Sequence, residues 1–176
     1  MKSNVKSLVM TALLTALTCA ATMSIRIPTP GTSGYIHPGD ALVILSGVIL
    51  GPANGFIAAG IGSALADLLG GYFFYVPITL IIKGLAALLA AIVYHRVSTK
   101  GRHQYLGIIL GGIINLSLVA GGYFICESFF YGIGAAAASI PSNLIQGIGG
   151  LIIALLLYPI LTTVPDIRRM IATAYH

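Results

Sequence analysis

Six apolar runs, at 8–25, 41–50, 56–69, 78–94, 106–126 and 140–161, alternate with short stretches rich in glycine, proline or charge. Most are long enough to cross a ~30 Å hydrocarbon core as helices rising 1.5 Å per residue. The second is not, because ten residues span only about 15 Å. It is expected to be short or tilted, extended through Gly39, or paired with the third run as a re-entrant hairpin. Gly51-Pro52-Ala53-Asn54-Gly55 then turns the chain. The first run follows Lys2 and Lys6, a pattern shared with signal peptides. It lacks a small-x-small cleavage site before a polar start, so a retained first helix is expected. Ala12, Ala16 and Ala20 recur there every four residues, a small-residue stripe of the kind that admits close helix contact in lipid.

The segments between the runs carry the polar chemistry. RIPTPGTSGYIHP (26–38) holds three prolines and two glycines and is expected to be a loop, long enough to act as a lid. Its chemically useful side chains are Tyr35 and His37. Residues 70–77 form a Gly-rich aromatic turn, and 128–139 is expected to be a small-residue loop. Pro141 would then sit in the first turn of the sixth helix. Asp40, Asp67 and Lys83 lie in or beside apolar runs, and an ionisable group there is a functional-site hypothesis by default. On the third run, Gly60, Ser63, Asp67 and Gly70 share a face at three- and four-residue spacing. Lys83 is expected to pair with Asp67 or a ligand, and Asp40 to cap the second helix, where the dipole favours a carboxylate.

Composition makes the membrane assignment firm. Hydrophobic residues are 57% of the 176 and charged residues 7%, with mean hydropathy +0.99. Soluble domains carry about 25% charged residues, so a water-soluble fold is excluded and an all-α integral membrane protein expected, one domain over 1–176. The net charge of +5 suggests orientation rather than nucleic acid. Lys2, Lys6, Arg96, Lys100, Arg102, Arg168 and Arg169 fall in the termini and the fourth loop, against Arg26 alone in the opposite loops. The positive-inside rule then gives six spans with both termini cytoplasmic. Arg26, His37, Asp40, Asp67, Lys83, Glu127, Asn143 and Gln146 consequently gather on the outward half. Such gathering predicts an outward-facing, solute-sized pocket capped by the 26–38 loop.

No nucleophile elbow, HExxH or phosphate-binding loop is present. Ser63 with His37 is conceivable as a hydrolytic pair, but the missing motifs count against it. Cys19 and Cys126 sit in or at the end of apolar runs, with no CxxC and no Cys/His cluster, so neither a zinc site nor a disulfide framework is indicated, and no cofactor is expected. The two halves show no inverted repeat, which disfavours a self-sufficient alternating-access transporter. The pattern fits a binding subunit that needs a partner.

The run YIHPGDALVILSGVILGPANGFIAAGIGSALADLLGGY, followed by TLIIKGLAALLAA, resembles the substrate-capture (S) components of energy-coupling factor (ECF) vitamin transporters. It is similar to the branch covering riboflavin, hydroxymethylpyrimidine and pyridoxine-type substrates. The resemblance implies a ligand held beneath the first loop by Tyr35 and His37, by Lys83, by Tyr123 and Glu127, and by Asn143 and Gln146. Tyrosines stack on a flat heteroaromatic ring, and amides both donate and accept. It implies that Ala12 and Ala16, with Ala20 on the same stripe, contact a transmembrane coupling subunit. Two cytoplasmic ATPases would supply the energy, which accounts for the missing nucleotide motif. The modest aromatic supply, without tryptophan, favours a single-ring hydroxymethylpyrimidine- or pyridoxine-like solute over riboflavin. A stand-alone secondary transporter or small intramembrane enzyme in a bacterial plasma membrane is the competing class.

Overall fold

Helices form wherever the apolar runs predict them, and their ends are where the structure departs from expectation. The computed structural model describes residues 2–98 and 102–174. The Lys2 side chain and Lys100, counted above among the orienting charges, lie outside the described part. Seven helices follow in order: α1 (Lys2–Ser24), α2 (Asp40–Leu50), α3 (Pro52–Gly70), α4 (Tyr75–Val97), α5 (Gln104–Tyr131), α6 (Ile133–Leu161) and α7 (Pro165–Thr173). Five of them, all but α2 and α7, are long and apolar enough to cross a membrane. At 28 and 29 residues, α5 and α6 exceed a ~30 Å core by about two turns.

The spans have their apolar residues outside and their small or polar ones inside. On α6, Ile145, Ile148, Ile152, Leu156 and Ile160 are exposed, whereas Ser139, Asn143, Gln146 and Gly150 are buried. That inversion suits a solvent as apolar as leucine, in which packing and interhelical hydrogen bonds hold helices together.

The short α2 is the hub. It packs against α1, α3, α4, α5, α6 and α7, and ten of its eleven residues are buried. A helix wrapped on all sides need not match the bilayer with its own length. Glycine makes the wrapping possible: a Cβ on Gly47 would run into the backbone carbonyl of Ala87, and one on Gly150 would lie 2.5 Å from the Asp40 Cβ. Gly51, at φ +81°, makes the turn into α3, and Pro52 follows at the first helical position.

Three expectations need correction, those for 128–139, Pro141 and Asp40, and two features are additional. Residues 128–139 are mostly helical: α5 runs on to Tyr131 and α6 starts at Ile133. Pro141 therefore sits inside α6 and leaves the carbonyl of Ala137 without its helical donor. The run of small residues there misled, because alanine is also the best helix former. The 26–38 loop holds a two-residue antiparallel ladder, β1 (Ile27–Pro28) with β2 (Tyr35–Ile36), Ile27 opposite Ile36. Asp40 is the first residue of α2 rather than its cap, and Gly39 makes no side-chain cap bond. Helix α7 was unforeseen: Ile167 is buried, Met170 and Ile171 pack on the same cluster, and Arg168 and Arg169 stay exposed. Lys6 pairs with Asp166, which brings the beginnings of α1 and α7 to one end of the bundle.

Candidate functional site

Three stripes of polar residues converge at the end of the bundle beneath the 26–38 loop. On α4, Tyr75, Thr79 and Lys83 recur every four residues; on α5, Asn115, Tyr123 and Glu127 share a face; on α6, Ser139, Asn143 and Gln146 do so. All nine are buried. Four-residue spacing keeps side chains on one helix face, so each helix offers a polar seam to the interior.

The lower layer is an ion pair with amide supports. Lys83 Nζ donates to Asp40 Oδ1, and neither side chain has any exposed surface. Asn115 Nδ2 donates to Asp40 Oδ2 at 3.1 Å and Gln146 Nε2 to Oδ1 at 3.2 Å. Lys83 thus forms a structural ion pair, but with Asp40 and not with Asp67. The cause is the close seating of α2, where Gly150 of α6 makes room for Asp40 and Gly47 of α2 lies against Ala87 of α4.

Above it lies a cavity of about 20 Å³, room for about one water. Of the residues expected to hold a ligand, Tyr35, His37, Tyr123, Glu127, Asn143 and Gln146 all line it. Lys83 does not; its Nζ stands behind the wall, 5.7 Å from the Tyr123 ring centre. The lining also includes Thr29, Gly34, Asp67, Tyr75 and Thr79, which were not assigned to a ligand from sequence. Tyr75 falls in the stretch expected to be an aromatic turn, although its four-residue step to Thr79 and Lys83 carries the signal.

Two carboxylates face this cavity, each held by a tyrosine. Tyr35 Oη donates to Asp67 Oδ1 at 2.7 Å, and Tyr75 Oη to Glu127 Oε1 at 3.0 Å. Ser139 Oγ donates to Glu127 Oε2 at 2.6 Å. The Tyr123 and Thr79 hydroxyls bond at 2.7 Å. Ser63, by contrast, is buried in α3 with no hydrogen-bond partner and does not line the cavity that His37 lines, so the two are not brought together as a hydrolytic pair there. Among the described residues no cluster suited to a metal ion is found.

The loop is tied down at several points. Its His37 N–H donates to Gln146 Oε1 at 3.0 Å, so the Gln146 amide bridges the lid and the Asp40–Lys83 pair. Tyr35 packs on Tyr72 with centres 4.5 Å apart, and the Arg26 guanidinium lies 5.4 Å from the Tyr35 ring centre. Burial, then the Asp67 charge, push the Tyr35 phenol above its ordinary range, so it remains a donor. Burial, then the nearby Lys83 charge, hold the His37 imidazole at about 3, down from 6.5. The neutral ring accepts the Gly39 N–H at Nδ1, 3.1 Å away.

A depressed histidine pKa means that a lifted loop binds a proton more readily than a seated one. Seating is therefore fully stable above pH 6.5 and weakens progressively toward about pH 3. Acidifying the protein from neutrality toward about pH 5 is expected to lower the hydrogen-exchange protection of the loop amides. His37→Asn, which cannot titrate, should abolish that pH dependence. Identical profiles for the two proteins would contradict this account.

Comparison with known proteins bears on the same region. The family described as "ECF-type riboflavin transporter, S component" matches residues 2–163. The chain is 32% identical over 159 residues to the thiamine precursor transporter HmpT of Lactococcus lactis subsp. cremoris, across 90% of this chain and 89% of that one. It is 37% identical over 132 residues to an uncharacterized protein of Pyrococcus woesei, across 75% and 85% of the two. A solved S component of a bacterial ECF transporter superposes with a TM-score of 0.66 at 22% identity, covering 91% of this chain and 97% of that one. That match shows the fold.

Proposed function

This chain belongs to the family of ECF-type S components, and from that premise we propose that it captures a single-ring vitamin precursor, of hydroxymethylpyrimidine or pyridoxine type, for ATP-driven uptake. The observation that carries the proposal is the small polar cavity under a tied-down loop, lined from α3, α4, α5 and α6. Known ligand pockets span about 300–1,000 Å³, so the loop must lift for a ring to enter. Tyr35 and Tyr123 would stack on that ring, while His37, Glu127, Asn143 and Gln146 would read its edge. Lys83 acts from behind, by holding Asp40 and through it Gln146. The relative named as a thiamine precursor transporter supports a vitamin precursor as the solute.

The whole chain, 1–176, acts as one membrane-embedded domain with α2 as the sixth span. Both termini are cytoplasmic. Two observations support this orientation: the Lys6–Asp166 pair joins the two ends, and the positive-inside rule places the basic residues of the termini and fourth loop on the inner side. The chain hydrolyses no ATP itself; two cytoplasmic ATPases do so through a transmembrane coupling subunit that docks on Ala12, Ala16 and Ala20.

Ligand identification tests the substrate. The purified protein would be denatured and its released small molecules analysed by mass spectrometry, followed by titration with candidate vitamins. A single-ring ligand is expected, bound about tenfold more weakly by Asn143→Ala. Riboflavin is the second reading, favoured by the description of the matching family. A yellow protein would establish it and overturn the first, and absence of binding to any B-vitamin would overturn both.

A further inference from the structure

Glu127 is buried, faces the cavity and accepts only from hydroxyls. The ion pairs among the described residues lie elsewhere: Lys83 is occupied by Asp40, and Lys6 by Asp166. The titratable groups that share the cavity with Glu127 are Tyr35, His37, Asp67, Tyr75 and Tyr123. Asp67 adds a second negative charge, and His37 is held neutral. A carboxylate in a low-dielectric interior is costly unless it is paired. Its two oxygens each take one hydroxyl donor from the side, Tyr75 on Oε1 and Ser139 on Oε2, and each keeps a lone pair for another donor.

We propose that Glu127 is the specificity residue that selects an amidine-like edge on the ligand, an exocyclic amino group beside a ring nitrogen, bound in the cationic form in which that nitrogen has taken up a proton from water. Two parallel N–H groups then meet two carboxylate oxygens, the fork arrangement that makes bidentate charged hydrogen bonds strong and directional. An oxo group in place of the amino group puts a carbonyl oxygen against a carboxylate oxygen, and the pairing fails. This choice separates aminopyrimidines from pyridoxine-type rings, which lack such an edge. It rests on the reading of the cavity as a single-ring vitamin site.

The test titrates the purified full-length protein with two probes, the amino-hydroxymethyl-methylpyrimidine and its oxo counterpart. The wild type is expected to prefer the amino compound by about 10- to 100-fold, the scale of one good bidentate pair. In Glu127→Gln the amide can turn to match either edge, and the preference should collapse to within a few-fold while binding persists. An unaltered preference in Glu127→Gln overturns the assignment and leaves the single-ring reading intact. So does equal wild-type affinity for both probes, a result that decides the matter even if the variant does not fold. Failure of the wild type to bind either probe, or any other single-ring vitamin, overturns the underlying reading as well.

Discussion

Lys83→Met is expected to lower the apparent unfolding midpoint in detergent by about 6–20 °C, corresponding to roughly 3–5 kcal/mol for breaking a buried ion pair from one side. The change keeps most of the side-chain volume and removes only the charge. Asp40 then sits with no exposed surface among α4, α5 and α6, facing two amide donors and no cation. The damage should spread upward, because Gln146 bonds both Asp40 and the backbone of His37, so ligand affinity should fall with stability. Adding Asp40→Asn is the decisive control. A neutral amide beside methionine leaves no uncompensated charge, and pairs replaced from both sides are often close to neutral. The double variant should therefore recover most of the lost midpoint. A single variant as stable as the wild type, or a double variant no better than the single, would refute the view that this pair anchors the site.

The same region shows what the sequence could convey. Long runs of apolar residues report spanning helices directly, since lipid-exposed backbone in the hydrocarbon core must be helical or closed into a barrel; the five long helices were legible for that reason. Glu127, Asn143 and Gln146 were equally legible, because a polar group in such a run must face inward. Partner choice was not. Lys83 lies sixteen residues from Asp67 and forty-three from Asp40, and sequence proximity favoured the wrong carboxylate. What decides the pairing is how deeply α2 sinks, which depends on glycines at 47 and 150 meeting Ala87 and Asp40 across three helices. The stretch 128–139 failed for a related reason. Its glycines at 132 and 134 and its small residues are as compatible with a loop as with a helix, and tertiary contact settles it: Ser139 bonds Glu127 from the adjoining helix.

Ala16→Arg is expected to reduce vitamin uptake to background while leaving ligand binding by the purified protein unchanged. Helix α1 buries Thr11, Leu14, Thr18 and Thr22 and packs mainly on α3, where Gly62 comes close to Thr15 and Thr18. Ala12, Ala16 and Ala20 point the other way and are exposed. A long side chain at 16 therefore points away from its own bundle, and none of the three alanines lines the cavity beneath the 26–38 loop. The proposed coupling subunit is what it would meet, since small residues serve close helix approach in lipid and bulk there forbids it. Arginine on a lipid-facing surface also costs about 2.5–3.5 kcal/mol of insertion at mid-membrane, so Ala16→Leu is the companion variant. Leucine is at home in lipid and should still depress uptake by steric bulk alone. Uptake would be followed with labelled vitamin in cells that supply the coupling subunit and ATPases, and binding by titration of the same variants. Loss of binding together with uptake would make the stripe a structural element of the bundle. Full uptake by Ala16→Arg would remove the need for a docked partner on α1, and a stand-alone transporter would become the better account.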